Sequence, residues 1–191
     1  MNTRVRKVHW YGLVATAILV LALAAAGEGA RQSLRWSRDA LAAGEWWRLF
    51  TGHLVHLDLV HALLNLLAAA LLVGVFGSVY SLRRTALVVV FGALAIDAGL
   101  WWLGEVDWYV GLSGVLHAYA AAVVVRAIVD RNDRPAWLVA AFGLAKIAWE
   151  NLAGAMPFMA TDVAVVTDAH LFGVIAGMLA GLALRADGAR D

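Results

Sequence analysis

The chain is 191 residues long, 63% of them apolar and only 15% charged, with a mean hydropathy of +0.77; a water-soluble domain is far more polar, so the composition describes an integral membrane protein. A net charge of +1, with the basic residues dispersed, offers no basic stripe of the kind that binds nucleic acid. The absence of cysteine excludes disulfides, a thiol nucleophile and thiolate metal sites.

In chain order, apolar stretches long enough to cross a hydrocarbon core fall at about 9–26, 54–77, 85–103, 112–129, 135–152 and 168–185. Arg4, Arg6 and Lys7 before the first stretch, with Ala24-Ala25-Ala26-Gly27 at its end, also fit a cleavable signal sequence. The run is long for a signal core and five more follow, so it is read as a retained span. The breaks carry charge or turn chemistry: Glu28 to Arg48, Ser81-Leu82-Arg83-Arg84, Glu105-Val106-Asp107, Asp130 to Pro135, and Gly154 to Thr167 with Pro157. The expected fold is all-α, a single six-transmembrane-helix bundle over 1–191 with no length left for a soluble domain.

Arg4, Arg6, Lys7, Arg83, Arg84, Arg126, Arg131, Arg134, Arg185 and Arg190 fall on the amino-terminal side of such a bundle, against Arg31, Arg35, Arg38 and Arg48 on the other. The positive-inside rule then places both termini in the cytoplasm, although the arginines of the first outer loop weaken the contrast. In that topology His61 and Asn65 on the second helix, Ser113 opening the fourth and His170 opening the sixth all fall in the outer half of the membrane. Polar side chains in hydrocarbon are costly and persist where they line a cavity or act on something. A hydrolytic site is the leading reading.

Helix faces sharpen it. Residues three, four and seven apart share a face, so His170, Gly173, Gly177 and Gly181 form one stripe on the sixth helix, and Ser113, His117 and Ala121 form one on the fourth. Small residues at that spacing let backbones approach closely; packing the two stripes brings His170 to Ser113 at the range a general base needs. The plainer alternative is that the glycines serve packing alone and His170 bonds a neighbouring carbonyl.

These residues carry a family resemblance. With Trp47-Arg48 in the first outer loop, His61-xxx-Asn65 on the second helix, Gly111-x-Ser113-Gly114 opening the fourth and Ala169-His170-xx-Gly173-xxx-Gly177 on the sixth, the chain resembles a rhomboid intramembrane serine protease of the minimal six-helix form. The resemblance implies that Ser113 is the nucleophile and His170 its base, with His61 and Asn65 at oxyanion-stabilising positions. Gly111, Gly114, Gly173, Gly177 and His117 support them, and no metal or cofactor is implied. A histidine four residues after Ser113, where many relatives have an aromatic residue, and the run Val165 to Gly173 are similar to the rhombosortases. That finer likeness implies exported substrates with a carboxy-terminal tail of a Gly-Gly motif, a transmembrane helix and a basic cluster. It also implies the bacterial inner (cytoplasmic) membrane, with the site toward the periplasm.

The chemistry can be argued from the side chains themselves. A serine hydroxyl is a weak nucleophile at neutral pH and needs a base within about 2.6–3.2 Å; histidine suits both taking the proton and returning it to the leaving amine. The oxyanion formed by attack needs donors already aimed at it. Asn65 offers an amide, His61 a ring N–H, and the start of the fourth helix unpaired backbone N–H groups. Asp168 lies about 200° round the helix from His170, so no carboxylate completes a triad and a Ser113–His170 dyad is expected. His117, one turn below Ser113, either stacks on or bonds His170, or fills a gap and bonds a carbonyl.

Other polar residues are read more plainly. Lys146 and Glu150, four apart on the fifth span, are taken for a structural ion pair rather than a proton path. Asp97 has no partner nearby in sequence. His53, His56 and Asp58 are expected to hydrogen-bond at a helix entry rather than to bind metal. Trp46, Trp47, Trp101, Trp102 and Trp108 near outer boundaries, and Trp10 and Trp137 near inner ones, make an aromatic belt, with Trp47-Arg48 holding the loop in the headgroup region. Two other classes stay open: a catalytically silent rhomboid-like protein that binds membrane helices, and a small transporter using Lys146, Glu150 and Asp97. The second lacks the repeated halves such proteins show.

Overall fold

The computed structural model describes residues 3–154 and 166–184. Long helices form over the apolar stretches: α1 (Thr3–Ala25), α5 (Leu59–Phe76), α6 (Leu82–Trp102), α7 (Ser113–Arg131), α8 (Arg134–Ala153) and α9 (Thr167–Ala183). Between them lie short elements that the hydropathy pattern does not announce. These are α2 (Gly27–Leu34), β1 (Trp36–Ser37), α3 (Arg38–Ala42) and α4 (Arg48–Thr51) before α5, and β2 (Trp108–Tyr109) before α7. Pro157, Val165, Arg185 and Arg190, used in the sequence reading, lie outside the described residues.

Helix boundaries follow local chemistry. Asp58 caps α5 by accepting the His61 N–H at 2.7 Å, and Asp133 caps α8 by accepting the Ala136 N–H at 3.1 Å, with Pro135 in the first turn. Asn132 closes α7 in the left-handed region at φ 48°, a conformation asparagine tolerates better than most residues.

The lipid criterion divides the helices. Lys7–Ala25 within α1, together with α5, α6 and α7, are long and apolar enough to cross a membrane. Helix α8 carries Lys146 and Glu150, and α9 has 17 residues, so neither qualifies by length and composition alone, although the sequence reading counts both as spans. Apolar side chains such as Ile18, Leu67, Leu71, Leu138, Phe142 and Leu152 face outward, a surface that suits hydrocarbon rather than water.

Helix α7 is the hub, and α9 lies closest to it. A Cβ added at Gly173 would sit 2.3 Å from the Gly114 carbonyl oxygen, at Gly177 2.1 Å from that of Ala118, and at Gly181 2.7 Å from that of Ala122. The glycine stripe therefore packs as the sequence suggests, but its counterpart on α7 is Gly114–Ala118–Ala122 rather than Ser113–His117–Ala121. The two faces differ by one residue, about 100° of rotation. Small side chains occupy the contact itself, and Ser113 and His117 stand at its edge, where they meet His170.

The first loop is built around arginines. Buried Arg48 donates to the carbonyls of Gln32 at 2.9 Å and Arg35 at 2.8 Å and pairs with Glu45. Arg38 caps the end of α6 through the carbonyls of Leu100, Trp101 and Gly104, a favourable place for a cation. Arg48 thus faces into the loop, not the headgroups; Trp47 beside it is exposed. Antiparallel pairing of Trp36 with Tyr109 and Ser37 with Trp108 ties this loop to the segment that leads into α7.

Candidate active site

The turn before Ser113 is held from three sides. Gly111 adopts φ +119°, a conformation side chains rarely reach, and donates its N–H to the Gly52 carbonyl at 3.0 Å. Tyr109, which burial keeps in its protonated form, donates to the Gly111 carbonyl at 2.5 Å. His56 donates from Nδ1 to the Leu54 carbonyl at 3.1 Å, which leaves Nε2 to accept the Leu112 N–H at 3.4 Å. Ser113 follows as the first residue of α7, half-buried. No side chain caps this helix, and its first N–H groups have no intrahelical acceptor.

His170 is the fourth residue of α9 and is buried. Its Nε2 lies 2.9 Å from Ser113 Oγ, within the range the sequence argument requires. His117 stacks on it, ring centroids 4.3 Å apart, and binds the Ser113 carbonyl through Nδ1 at 2.7 Å. Both alternatives weighed for His117 therefore hold at once.

A carboxylate that the sequence reading does not place here faces the other ring nitrogen of His170. Glu150 Oε2 lies 2.9 Å from His170 Nδ1, and Lys146 Nζ lies 2.6 Å from Glu150 Oε1. Among the described residues Asp168 makes no hydrogen bond to His170, as its helix position indicates, and the carboxylate comes from α8 instead. Because α8 runs antiparallel to α7 and α9, its last turns arrive beside the first turns of both. The Lys146–Glu150 ion pair exists as read, yet it faces His170 instead of lipid.

His61 and Asn65 sit on the first two turns of α5. The His61 ring rests against Gly111, where a Cβ would meet its Cε1 at 2.8 Å. Its Nδ1 is buried with no hydrogen-bond partner among the described residues. Asn65 is buried and donates one amide hydrogen to the His61 carbonyl at 3.0 Å, leaving its second hydrogen for another acceptor. The His61 ring thus lies against the Ser113 turn at Gly111, and Asn65 follows one turn further along α5.

Asp97 finds a partner across the fold: His53 Nε2 approaches its Oδ1 at 3.3 Å. The approach is off-line, and among the described residues neither side chain has an aligned hydrogen bond. His53 also packs edge-on against Tyr109 at 5.5 Å. His53, His56 and Asp58 thus point to three different partners, and among the described residues no group of three His, Asp or Glu side chains is placed to hold a metal ion.

A family model described as "Rhomboid domain" matches residues 43–187. The chain belongs to the rhomboid family. Rhomboids are in general intramembrane serine proteases that act on membrane-protein substrates, and the matched region contains Ser113, His170, Glu150, His61 and Asn65. A comparison with curated proteins gives no match. With its apolar helices, this rhomboid is a multi-pass membrane protein.

Proposed function

We propose that this rhomboid is an active intramembrane serine endopeptidase with Ser113 as nucleophile and His170 as general base. The observation that carries the reading is the 2.9 Å contact between Ser113 Oγ and His170 Nε2. His170 removes the hydroxyl proton as Oγ attacks the scissile carbonyl, then returns it to the departing amine, leaving an acyl-serine that water hydrolyses by the same steps. The oxyanion is met by the open N-terminus of α7, with Asn65 and His61 flanking it.

In this reading the whole chain, 1–191, is one six-span domain with both termini cytoplasmic. The site faces the periplasm across the bacterial inner membrane. Support comes from the placement of the polar groups at one end of the bundle, at the starts of α5, α7 and α9 and the end of α8. Three of the four outer-loop arginines that blur the charge rule are engaged by carbonyls, Arg31 by Leu57 besides Arg38 and Arg48, and Arg35 lies over the Trp108 ring.

The substrates fit the rhombosortase type: exported proteins held by a carboxy-terminal tail of Gly-Gly motif, transmembrane helix and basic cluster. A scissile carbonyl in a helix is locked in hydrogen bonds, and glycines lower the cost of freeing it. His117 on His170, in place of the usual aromatic residue, supports this subfamily. The protease reading accounts for Lys146 and Glu150 better than the transporter reading does, since the pair faces His170 while Asp97 faces His53.

The test is co-expression with a Gly-Gly-tailed membrane substrate and mass analysis of the product, alongside fluorophosphonate labelling. Wild type should shorten the substrate and take the label, and Ser113→Ala should do neither. An unlabelled wild type that still binds the substrate helix would instead establish the silent, helix-binding alternative.

A further inference from the structure

We propose that Glu150 is a positioning residue that fixes the His170 tautomer, so that Ser113, His170 and Glu150 act as a triad in place of a dyad. The inference rests on the serine protease reading above and adds a member to it.

His170 Nδ1 has two polar neighbours, Glu150 Oε2 at 2.9 Å and Lys146 Nζ at 3.4 Å. They make opposite demands. A carboxylate only accepts, so facing Glu150 the Nδ1 must carry the hydrogen and Nε2 keeps its lone pair for Ser113. An ammonium only donates, so facing Lys146 the hydrogen would sit on Nε2 and the ring could not take the serine proton. Distance decides between them: 2.9 Å is an ordinary hydrogen bond and 3.4 Å is beyond the usual range. Lys146 is committed instead to Glu150 Oε1 at 2.6 Å.

Each partner of Glu150 therefore has a separate task. Its side chain is only 1% exposed, and a buried carboxylate needs pairing on both oxygens. Lys146 satisfies one oxygen and holds the carboxylate in place; the other orients the imidazole. During attack the Ser113 O–H bond breaks, the Oγ–carbon bond forms as the carbonyl π pair moves onto its oxygen, the proton forms an Nε2–H bond, and the resulting imidazolium keeps its Nδ1 hydrogen toward Glu150. No proton moves onto Glu150, and the charge developing on His170 lies next to an anion.

Glu150→Gln tests this with an unusual sign. Lys146 can only donate, so it claims the amide oxygen and turns the NH2 group toward His170 Nδ1, which imposes the wrong tautomer. The expected result in detergent-solubilised full-length protein is a fall in kcat of about a hundredfold or more with KM little changed. Glu150→Asp should recover part of it. Nitrogen-15 spectra of the His170 ring should show Nδ1–H in wild type and a shift toward Nε2–H in Glu150→Gln. The double variant Lys146→Met with Glu150→Leu leaves no unpaired buried charge and should fold while losing the same activity.

Wild-type turnover in Glu150→Gln, or an Nε2–H ring in wild type, overturns the proposal. So does a loss of activity that follows thermal stability while the ring tautomer stays put, the outcome of a purely structural ion pair. If wild type itself fails to cleave, the protease reading falls, and the ring spectra alone still decide the role of Glu150.

Discussion

The imidazoles of His117 and His170 lie face to face, with planes 21° from parallel and centroids 4.3 Å apart. His117 is held there by the carbonyl of Ser113, the residue whose hydroxyl meets the edge of the same His170 ring. The serine thus fixes its own base twice, once directly and once through the ring stacked on it, and the two contacts come from opposite ends of one residue.

Replacing His117 with Phe keeps a ring on His170 and loses the bond to the Ser113 carbonyl. A stacked pair contributes about 0.5–1.5 kcal/mol, so turnover should fall about two- to tenfold in His117→Ala and by less in His117→Phe, with expression preserved in both. Peptide cleavage rates at matched protein levels measure this. Wild-type rates in both variants would remove the role.

Asn65→Ala deletes the side-chain amide proposed to meet the oxyanion together with the α7 N-terminus. Loss of one oxyanion donor lowers kcat by about a hundred- to a thousandfold, and KM should change little because the oxyanion exists only during reaction. Steady-state kinetics with a fluorogenic transmembrane peptide reads both constants. A rise in KM alone would reassign Asn65 to substrate binding.

Gly177→Ala would place a Cβ 2.1 Å from the Ala118 carbonyl oxygen, against backbone that cannot yield. Overpacking of this kind costs about 1–3 kcal/mol, and the separation of α7 from α9 should also open the Ser113–His170 contact. Gly143→Ala on α8 meets nothing within 4 Å and should hold or raise stability, because alanine is the better helix former by about 1 kcal/mol. Thermal unfolding in micelles should separate the two by several degrees.

His56 supplies a pH dependence. Burial, reinforced by the neighbouring His61, lowers its pKa to about 4 from an ordinary 6.5. Above pH 6.5 it is neutral in both folded and unfolded chains and contributes no pH dependence. As pH falls from 6.5 to 4 the unfolded chain takes up a proton that the folded one refuses, so stability declines across that window and levels off below it. The unfolding midpoint of wild type should therefore drop between pH 6.5 and 4, and His56→Gln should flatten that part of the curve. An equally steep decline in the variant would place the effect elsewhere.

Sequence reading reaches different depths at different residues. Ser113, His170 and the glycines of α9 are legible because hydropathy fixes depth in the chain's helices and four-residue spacing fixes face; together these predict the contact before any coordinates. The α7 face is one residue off because spacing gives a stripe's members but not which stripe bears the load. There Gly114 and Ala118 win, since only small side chains allow the backbone approach that Gly173 and Gly177 permit. Glu150 is illegible for another reason: a charge pair four apart explains itself locally, and nothing in the string says toward which helix the pair turns.

The sequence by itself determined the membrane character, the family likeness and the choice of serine with histidine, since each rests on composition or on residue type at short spacing. Only the tertiary structure decided that Glu150 stands behind His170, that His117 both stacks and bonds, and that His56 and Tyr109 brace the Ser113 turn. Those relations join residues from separate elements, where side-chain orientation and helix order, rather than local pattern, set what touches.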